Sequence, residues 1–570
     1  MNKILALFLL LVGDALAQSN EPAWQFTFSD ESLWSRVTYA GSLLAASERQ
    51  LAHIDPANGE AFWVRDDLSK LAQFNVNDVD GTPYLVISER LGNVPPKSRL
   101  QVLNLSTGET LWDMGKHAGS GLGAYPVAEN NLLVYVVEMA GRKPGTYVMG
   151  MNLATGEEVW GTKIGSVGHL QTHYSDVEGF IRTRDLNGHP PPLVDNGLFI
   201  LVAGDLYAFD LATGELRWRY KAKASMPNLK NTYAQPLMVE GVLYATTKDS
   251  IVALDPVSGT EKWKAKVGKA AMPELQVVDS KIIGRFGGMF SDGKKLVGQK
   301  PFGAFAVDTS SGSTLWKWSK AKNSITNLCV LPEQGLVMLA DKKNLYALDL
   351  NASKKGKVVY EEKLAFKRQM GSADIAAKGL GVAGGLLSGG LAGGFKGLGG
   401  GGDRGDPPLD IEVYGDQLII RAQYHVLAHN VQSKSTDWSI QFAPPGMSPF
   451  ALVAMGAVTA FVATEAAGPT RAAGGGYESQ AMLDSTLNIT SSFQRAVSER
   501  YAAAEKARNV AFFLTKEKEE GMVLMGIDLE SGDEIGKVPM EEKEPQFMVD
   551  AVGSRVYYFR NKSELLAYDF

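Results

Sequence analysis

Cysteine is almost missing from this chain. Its 570 residues include one, Cys329, in "ITNLCVLPE". A single cysteine excludes an internal disulfide, so an exported fold must be held by core packing alone. Long apolar runs are missing beyond the N-terminus, and no later segment reads as a membrane helix. A basic stripe is missing too. Charged residues make up 21% of the chain, both signs are interspersed and the net charge is -6. That balance argues against a nucleic-acid partner. Phosphate-cradling and nucleophile-elbow signatures are absent, and the glycine-containing "GVAGGL" follows no clear strand.

What is present begins with "MNKILALFLLLVGDALAQSN". Lys3 gives a positive start, Ile4 to Val12 form a short apolar run, and "ALA" precedes Gln18 as a small-x-small cleavage site. Residues 1–17 therefore read as a secretory signal peptide, cut after Ala17. Residue 18 is Gln rather than Cys, so no lipoprotein anchor is expected. The mature protein, residues 18–570, is expected to be periplasmic or secreted.

Internal repetition dominates the rest. "LYAFDLATGELRWRY" reads as strand, tight turn, strand, on the pattern small-x-Asp/Asn-x-x-Thr/Ser-Gly-x-x-x-Trp. Ala208, Asp210, Thr213, Gly214 and Trp218 recur as Ala253, Asp255, Ser258, Gly259 and Trp263, and as Ala306, Asp308, Ser311, Gly312 and Trp316. Earlier copies end on Trp63, Trp112 and Trp160. Later ones decay: Ala347 and Asp349 lead to Tyr360, Lys434 stands where Gly is expected before Trp438, and Gly536 stands where Trp is expected after Gly532. The Gly supplies a positive φ, the Asp or Asn braces the turn's own amides, and the Trp has a large apolar surface to bury beside the small residue. A second strand-turn-strand precedes each hairpin, as in "PPLVDNGLFILVAG". Each unit is then four short antiparallel strands, and Trp spacings of 49, 48, 58, 45 and 53 residues suit the blades of a β-propeller. The chain ends "LLAYDF", with Ala567 and Asp569 in the first two motif positions, and Glu21 and Trp24 carry the spacing of Glu215 and Trp218. One hairpin is split between the termini, as when an N-terminal strand completes the last blade of a closed ring.

The motif resembles the repeats of the pyrroloquinoline-quinone-type (quinoprotein alcohol dehydrogenase-like) β-propellers. The resemblance implies an all-β, single closed propeller of four-stranded blades, with Trp docked between neighbours. Eight blades are the family norm; the motif count reaches ten. In repeat type and export the chain is similar to the propeller lipoprotein of the outer-membrane β-barrel assembly machinery. It departs from that protein in its missing acylated Cys, its length and two insertions.

Residues 371–408 are Gly-rich with apolar residues between, and read as a mobile loop or as one that touches a partner or membrane surface. "RGD" at Arg404 to Asp406 falls within it by simple composition. Residues 466–508 begin loose and turn helical, rich in Ala, Glu, Lys and Arg, so a projecting helical insertion is expected. That helix packs on its own propeller or serves as a partner-binding arm.

The resemblance also raises an enzymatic possibility. Its large catalytic members hold a quinone against a disulfide of adjacent cysteines, with calcium on a Glu, Asn and Asp set. One cysteine rules out that disulfide, and no segment places the calcium ligands, so no catalytic, cofactor-binding or metal residue is assigned and no cofactor is expected. Three sets of reactive side chains are candidates. Cys329 lies in an apolar strand-like run and reads as a buried structural thiol. His169 and His173, with Asp176, have the spacing of helical metal ligands but sit in a polar, Gly-containing connection. His425 and His429 lie on a predicted strand, about 13 Å apart by strand rise, too far to share an ion. The expectation is a non-enzymatic exported scaffold whose partner is another cell-envelope protein. It has no integral membrane segment, though 371–408 offers a peripheral membrane contact. A periplasmic quinone-dependent oxidoreductase and an envelope saccharide-binding propeller are the rivals.

Overall fold

The computed structural model describes residues 21–570 apart from 94–95, 142, 178–180, 187–188, 223–232, 292–295, 322–324, 365, 367–407, 423–424, 443–509, 518–519 and 543–544. The signal segment 1–17, the helical insertion 466–508 and 371–407 of the Gly-rich insertion lie outside the described residues.

Among the described residues there is no α-helix, only two short 3-10 turns, and the chain is a succession of antiparallel strands. The sequence dictates this locally. In the opening hairpin, Gly214 N–H donates to the Asp210 carbonyl at 2.8 Å, and Asp210 Oδ1 accepts from the amides of Ala212 and Thr213 at 3.0 and 2.9 Å. The turn therefore satisfies its own backbone. It brings Ala208 opposite Trp218, with a bulge between Ala208 and Phe209. The same bulge follows the same cross-strand pair in the copies ending on Trp263 and Trp316.

The hairpins build sheets in which sequential strands are neighbours. With the eight-stranded sheet counted as its two four-stranded halves, the described residues hold ten sheets of three or more strands, rather than the eight that the resemblance implies. We number them in chain order: sheet 1 (residues 32–65), 2 (76–113), 3 (117–165), 4 (193–220), 5 (237–266), 6 (274–318), 7 (329–363), 8 (408–441), 9 (510–540) and 10 (546–569). Sheet 10 gains its fourth strand from the N-terminus. Trp24–Thr27 runs antiparallel to Glu564–Asp569, with Trp24 opposite Ala567. The split hairpin read from the two termini is thus one hairpin in space.

Burial follows a single rule. Each apolar cluster draws on two consecutive sheets, as where Val148 and Trp160 of sheet 3 pack with Phe199 and Phe209 of sheet 4. Sheet 9 packs on sheet 10 through Leu524, Val538, Val556 and Leu566. Sheet 10 packs on sheet 1 through Trp24, Leu565, Leu43 and Ile54. Sheets 2 and 3 are also joined edge to edge, where His117 and Ala118 pair with Ser98 and Lys97.

Candidate functional site: docks, breaks and outer strands

The best-marked residues of the repeat are committed to holding sheets together. Trp160, on the fourth strand of sheet 3, lies over Gly214 of sheet 4 and donates its indole N–H to the Leu211 carbonyl at 2.9 Å. Gly214 has φ +70°, and a Cβ there would overlap the Trp160 ring. Both features require glycine. Trp24, Trp63, Trp112, Trp218, Trp263 and Trp316 make the equivalent bond to the next sheet, at 2.7 to 3.2 Å.

Three seams depart from this plan. Between sheets 7 and 8, Tyr360 replaces Trp and Lys434 replaces Gly. Lys434 holds φ +56°, and its Nζ lies 5.4 Å from the Tyr360 ring centroid. The Tyr360 hydroxyl meets His429 Nε2 at 3.1 Å, and His429 Nδ1 lies 2.7 Å from Glu362 Oε2. The His429 side chain is fully buried, and burial lowers its pKa while Glu362 opposes the shift. Asn327 clasps the backbone of Ile411 across the same seam, donating to its carbonyl at 2.7 Å and accepting from its amide at 2.9 Å. Between sheets 8 and 9, Trp438 lies over Gly532, but its indole N–H has no acceptor among the described residues. Between sheets 9 and 10, Gly536 stands in the Trp position and the chain termini stand in the turn. Apolar packing, including a Phe512–Phe570 ring pair at 4.8 Å, holds that seam.

The candidate reactive residues resolve in the same structural terms. Cys329 is buried, its thiol donates to the Ile411 carbonyl at 3.3 Å, and burial pushes its pKa up to about 12. A thiol held so far from thiolate is a poor nucleophile. His425 and His429 share the strand His425–Asn430. His425 stacks on Phe366, with 4.9 Å between ring centroids, while His429 serves the clasp. His169 packs edge-on to Tyr207. His173 lies on the short strand His173–Val177; its side chain and that of Asp176 lie outside the described residues. Among the described residues no group of three His, Cys, Asp or Glu is placed to hold a metal ion.

Strand order also sorts the connections. In an antiparallel four-stranded unit, the first and third turns lie at one end, and the second turn and the link to the next sheet lie at the other. The first end carries tight turns such as Asn196-Gly197, at φ +47° and +72°. The second end carries the long hairpins Tyr84–Asn93 with Pro96–Asn104, and Lys281–Ser291 with Leu296–Asp308. The inserted hairpin His173–Val177 with Ile181–Asp185 is there too, tied to sheet 3 by a 2.7 Å Arg184–Glu138 ion pair. In sequence, both predicted insertions fall in connections that follow the fourth strand of a sheet, and they lie outside the described residues apart from Pro408.

Sequence reasoning did not find the division of the outer strands. The residues flanking each docking Trp point away from the dock. In sheets 1 to 3 they include Phe62 at 53% exposure, Val64 at 42%, Leu111 at 41% and Val159 at 54%. In sheets 4 and 5 the same positions are Arg217, Arg219, Lys262 and Lys264, all exposed.

These features define a class: a chain of mostly four-stranded sheets, most of them fastened to the next by a Trp over a turn glycine, which is the PQQ-like propeller repeat. A family model described as outer membrane protein assembly factor BamB matches residues 13–167 and 96–355, more than half of the chain, and the chain belongs to that family. It is 30% identical over 117 residues to an outer membrane protein assembly factor BamB from Xanthomonas campestris pv. campestris. That match covers 20% of this chain and spans a quarter of the relative's length. Among solved structures, BamB from Moraxella catarrhalis aligns at TM-score 0.34 and 13% identity, over 70% of this chain and 94% of its own. The quinohemoprotein alcohol dehydrogenase ADHIIG from Pseudomonas putida HK5 aligns at 0.30 and 11%, over 71% of each chain.

Proposed function

We propose that this chain is a non-enzymatic, exported scaffold of the cell envelope, its ten sheets closed into one propeller, which binds another envelope protein. The observation that carries this reading is the outer face of sheets 1 to 3. Phe62, Val64, Leu111 and Val159 expose apolar surface on strands that each end a sheet. Terminal strands with exposed apolar side chains are usually guarded by charge or covered by a partner. Membership of a family described as an assembly factor supports the same reading. Closure of the ring is supported by the packing of sheet 10 on both sheet 9 and sheet 1. The Trp residues that could stack on a quinone are engaged in docks, with their indole N–H groups spent on carbonyls of the next sheet.

Cross-linking in the native envelope tests the reading. Wild-type protein is expected to trap discrete envelope partners, and Phe62→Ser combined with Val159→Ser is expected to lose them while melting unchanged. Pyrroloquinoline quinone with calcium is expected neither to raise the melting temperature nor to start dye reduction with alcohols or sugars. Turnover in that assay would replace the scaffold with the oxidoreductase.

A further inference from the structure

The outer strands differ in charge as sharply as in polarity. The fourth strands of sheets 4, 5 and 6 are Leu216–Tyr220, Glu261–Lys266 and Thr314–Trp318. A two-residue strand from the turn of sheet 7, Lys354–Lys355, lies parallel against the last of them. Together these four strands carry eight Lys and Arg and one acidic residue, Glu261. The last strands of the other seven sheets, counting Trp24–Thr27 for sheet 10, carry four Lys and Arg against six Asp and Glu. The chain as a whole has a net charge of -6. Cations are therefore gathered on one arc of the outer surface.

Part of that charge is already used. Arg217 pairs with Asp210 at 2.7 Å, Arg219 with Asp205 at 2.8 Å, and Lys317 Nζ donates to the Val267 carbonyl at 2.7 Å. Lys266 lies 4.0 Å from Asp249. Lys262 and Lys264 have no carboxylate within ion-pair distance among the described residues. Lys262, Lys264 and Lys266 alternate with Trp263 and Ala265, so all three lie on the face opposite the dock, at a pitch of about 6.8 Å.

We propose that the outer edge of sheet 5, with Lys262, Lys264 and Lys266, binds an extended acidic segment of a partner protein. A strand with Asp or Glu at alternate positions repeats its carboxylates at the pitch of these lysines. The rim has room for an added strand: the equivalent edge of sheet 6 already holds Lys354–Lys355 in parallel register. No large apolar side chain is exposed on these four strands, so they lack the wedge with which a protein enters a bilayer interface. The proposal rests on the scaffold reading for the partner being a protein, and it concerns a different arc from the apolar one.

The test uses the full chain and a labelled peptide of about ten residues alternating Glu and Thr, a strand-forming acidic probe. Fluorescence anisotropy is expected to show binding that weakens with salt. It should fall about tenfold in the triple variant Lys262→Gln, Lys264→Gln, Lys266→Gln and vanish in the corresponding triple Glu variant, while a Lys-Thr peptide does not bind. Equal melting temperatures for wild type and variants keep the comparison interpretable. Undiminished peptide binding by the triple Glu variant overturns the proposal. So does capture of phosphatidylglycerol-containing vesicles without peptide binding, which would make the arc a lipid contact. Failure of the wild type to bind the peptide also overturns it and leaves the lysines as guards of an open edge, a task that charge of either sign performs. If envelope partners are lost with Phe62→Ser but not with the lysine variants, the scaffold stands and this inference alone fails.

Discussion

Between sheets 3 and 4 an indole lies over a glycine; between sheets 7 and 8 a phenol, an imidazole, a carboxylate and an ammonium occupy the corresponding space. The first seam centres on Trp160 over Gly214, with Trp160 donating to the Leu211 carbonyl and Thr162 to the Gly214 carbonyl. The second spreads the same task over Tyr360, His429, Glu362 and Lys434. A bulky ring excludes water and tolerates any pH. A polar clasp fastens as firmly only while each group keeps its partner and its charge state. The comparison also has a place in the chain. Both predicted insertions adjoin sheet 8 in the chain, and neither of its seams holds a complete Trp–Gly dock.

The Trp–Gly seam is most sensitive at its glycine. Gly214→Val forces a β-branched residue to φ +70° and drives its Cβ into Trp160, and is expected to cost about 3 kcal/mol or more. Trp160→Ala empties the same seam and is expected to cost about 3–5 kcal/mol. Thermal melting and limited proteolysis check both, and an unshifted midpoint in either would remove the dock from the account of stability.

A smaller effect tests whether the two kinds of seam are interchangeable. Tyr360→Trp alone places an indole against the Lys434 side chain. Combined with Lys434→Gly it rebuilds the dock, so the double variant is expected to exceed the sum of the singles by about 1 kcal/mol. Additivity would mean that Lys434 does not stand in for the glycine.

The clasp should also respond to acid. His429 is held neutral in the folded chain by burial, so its folded pKa lies below its ordinary value of 6.5. As pH falls through that value the unfolded chain takes up the proton first, and the stability due to this group, complete above it, is lost toward lower pH. Wild type is therefore expected to lose more melting temperature than His429→Gln between about pH 7.5 and 5, a range that spans the imidazole pKa. Equal losses would count against the clasp as the pH-sensitive seam. The smallest effect belongs to the turn surface. Arg217→Ala removes an exposed ion pair to Asp210 and is expected to leave the melting midpoint nearly unchanged, because solvent already screens the pair.

Much of the fold was legible in the sequence because its determinants are local. Asp210 and Gly214 lie four residues apart, and the Ala208–Trp218 pair follows from the turn between them. Even the split hairpin could be read, since Ala567 and Trp24 each keep the spacing of a complete copy. The breaks were visible as deviations, Lys434 for Gly and Gly536 for Trp. What replaces the dock was not, because Tyr360 and His429 are 69 residues apart and His429 stands at a position the motif leaves unspecified.

Local sequence sets the unit of this protein, its repetition and the pairing of Trp24–Thr27 with Glu564–Asp569 in one unit. Each of those rests on turn chemistry and cross-strand pairs a few residues wide. Tertiary structure alone decided which carbonyl each indole reaches, which seam depends on a buried histidine, and how the outer surface divides. Phe62, Val159, Lys262 and Lys264 read in sequence as the alternation expected of any outer strand. Only packing of the alternate face against the next sheet turns that alternation into exposed apolar side chains on sheets 1 to 3 and exposed cations on sheets 4 to 6.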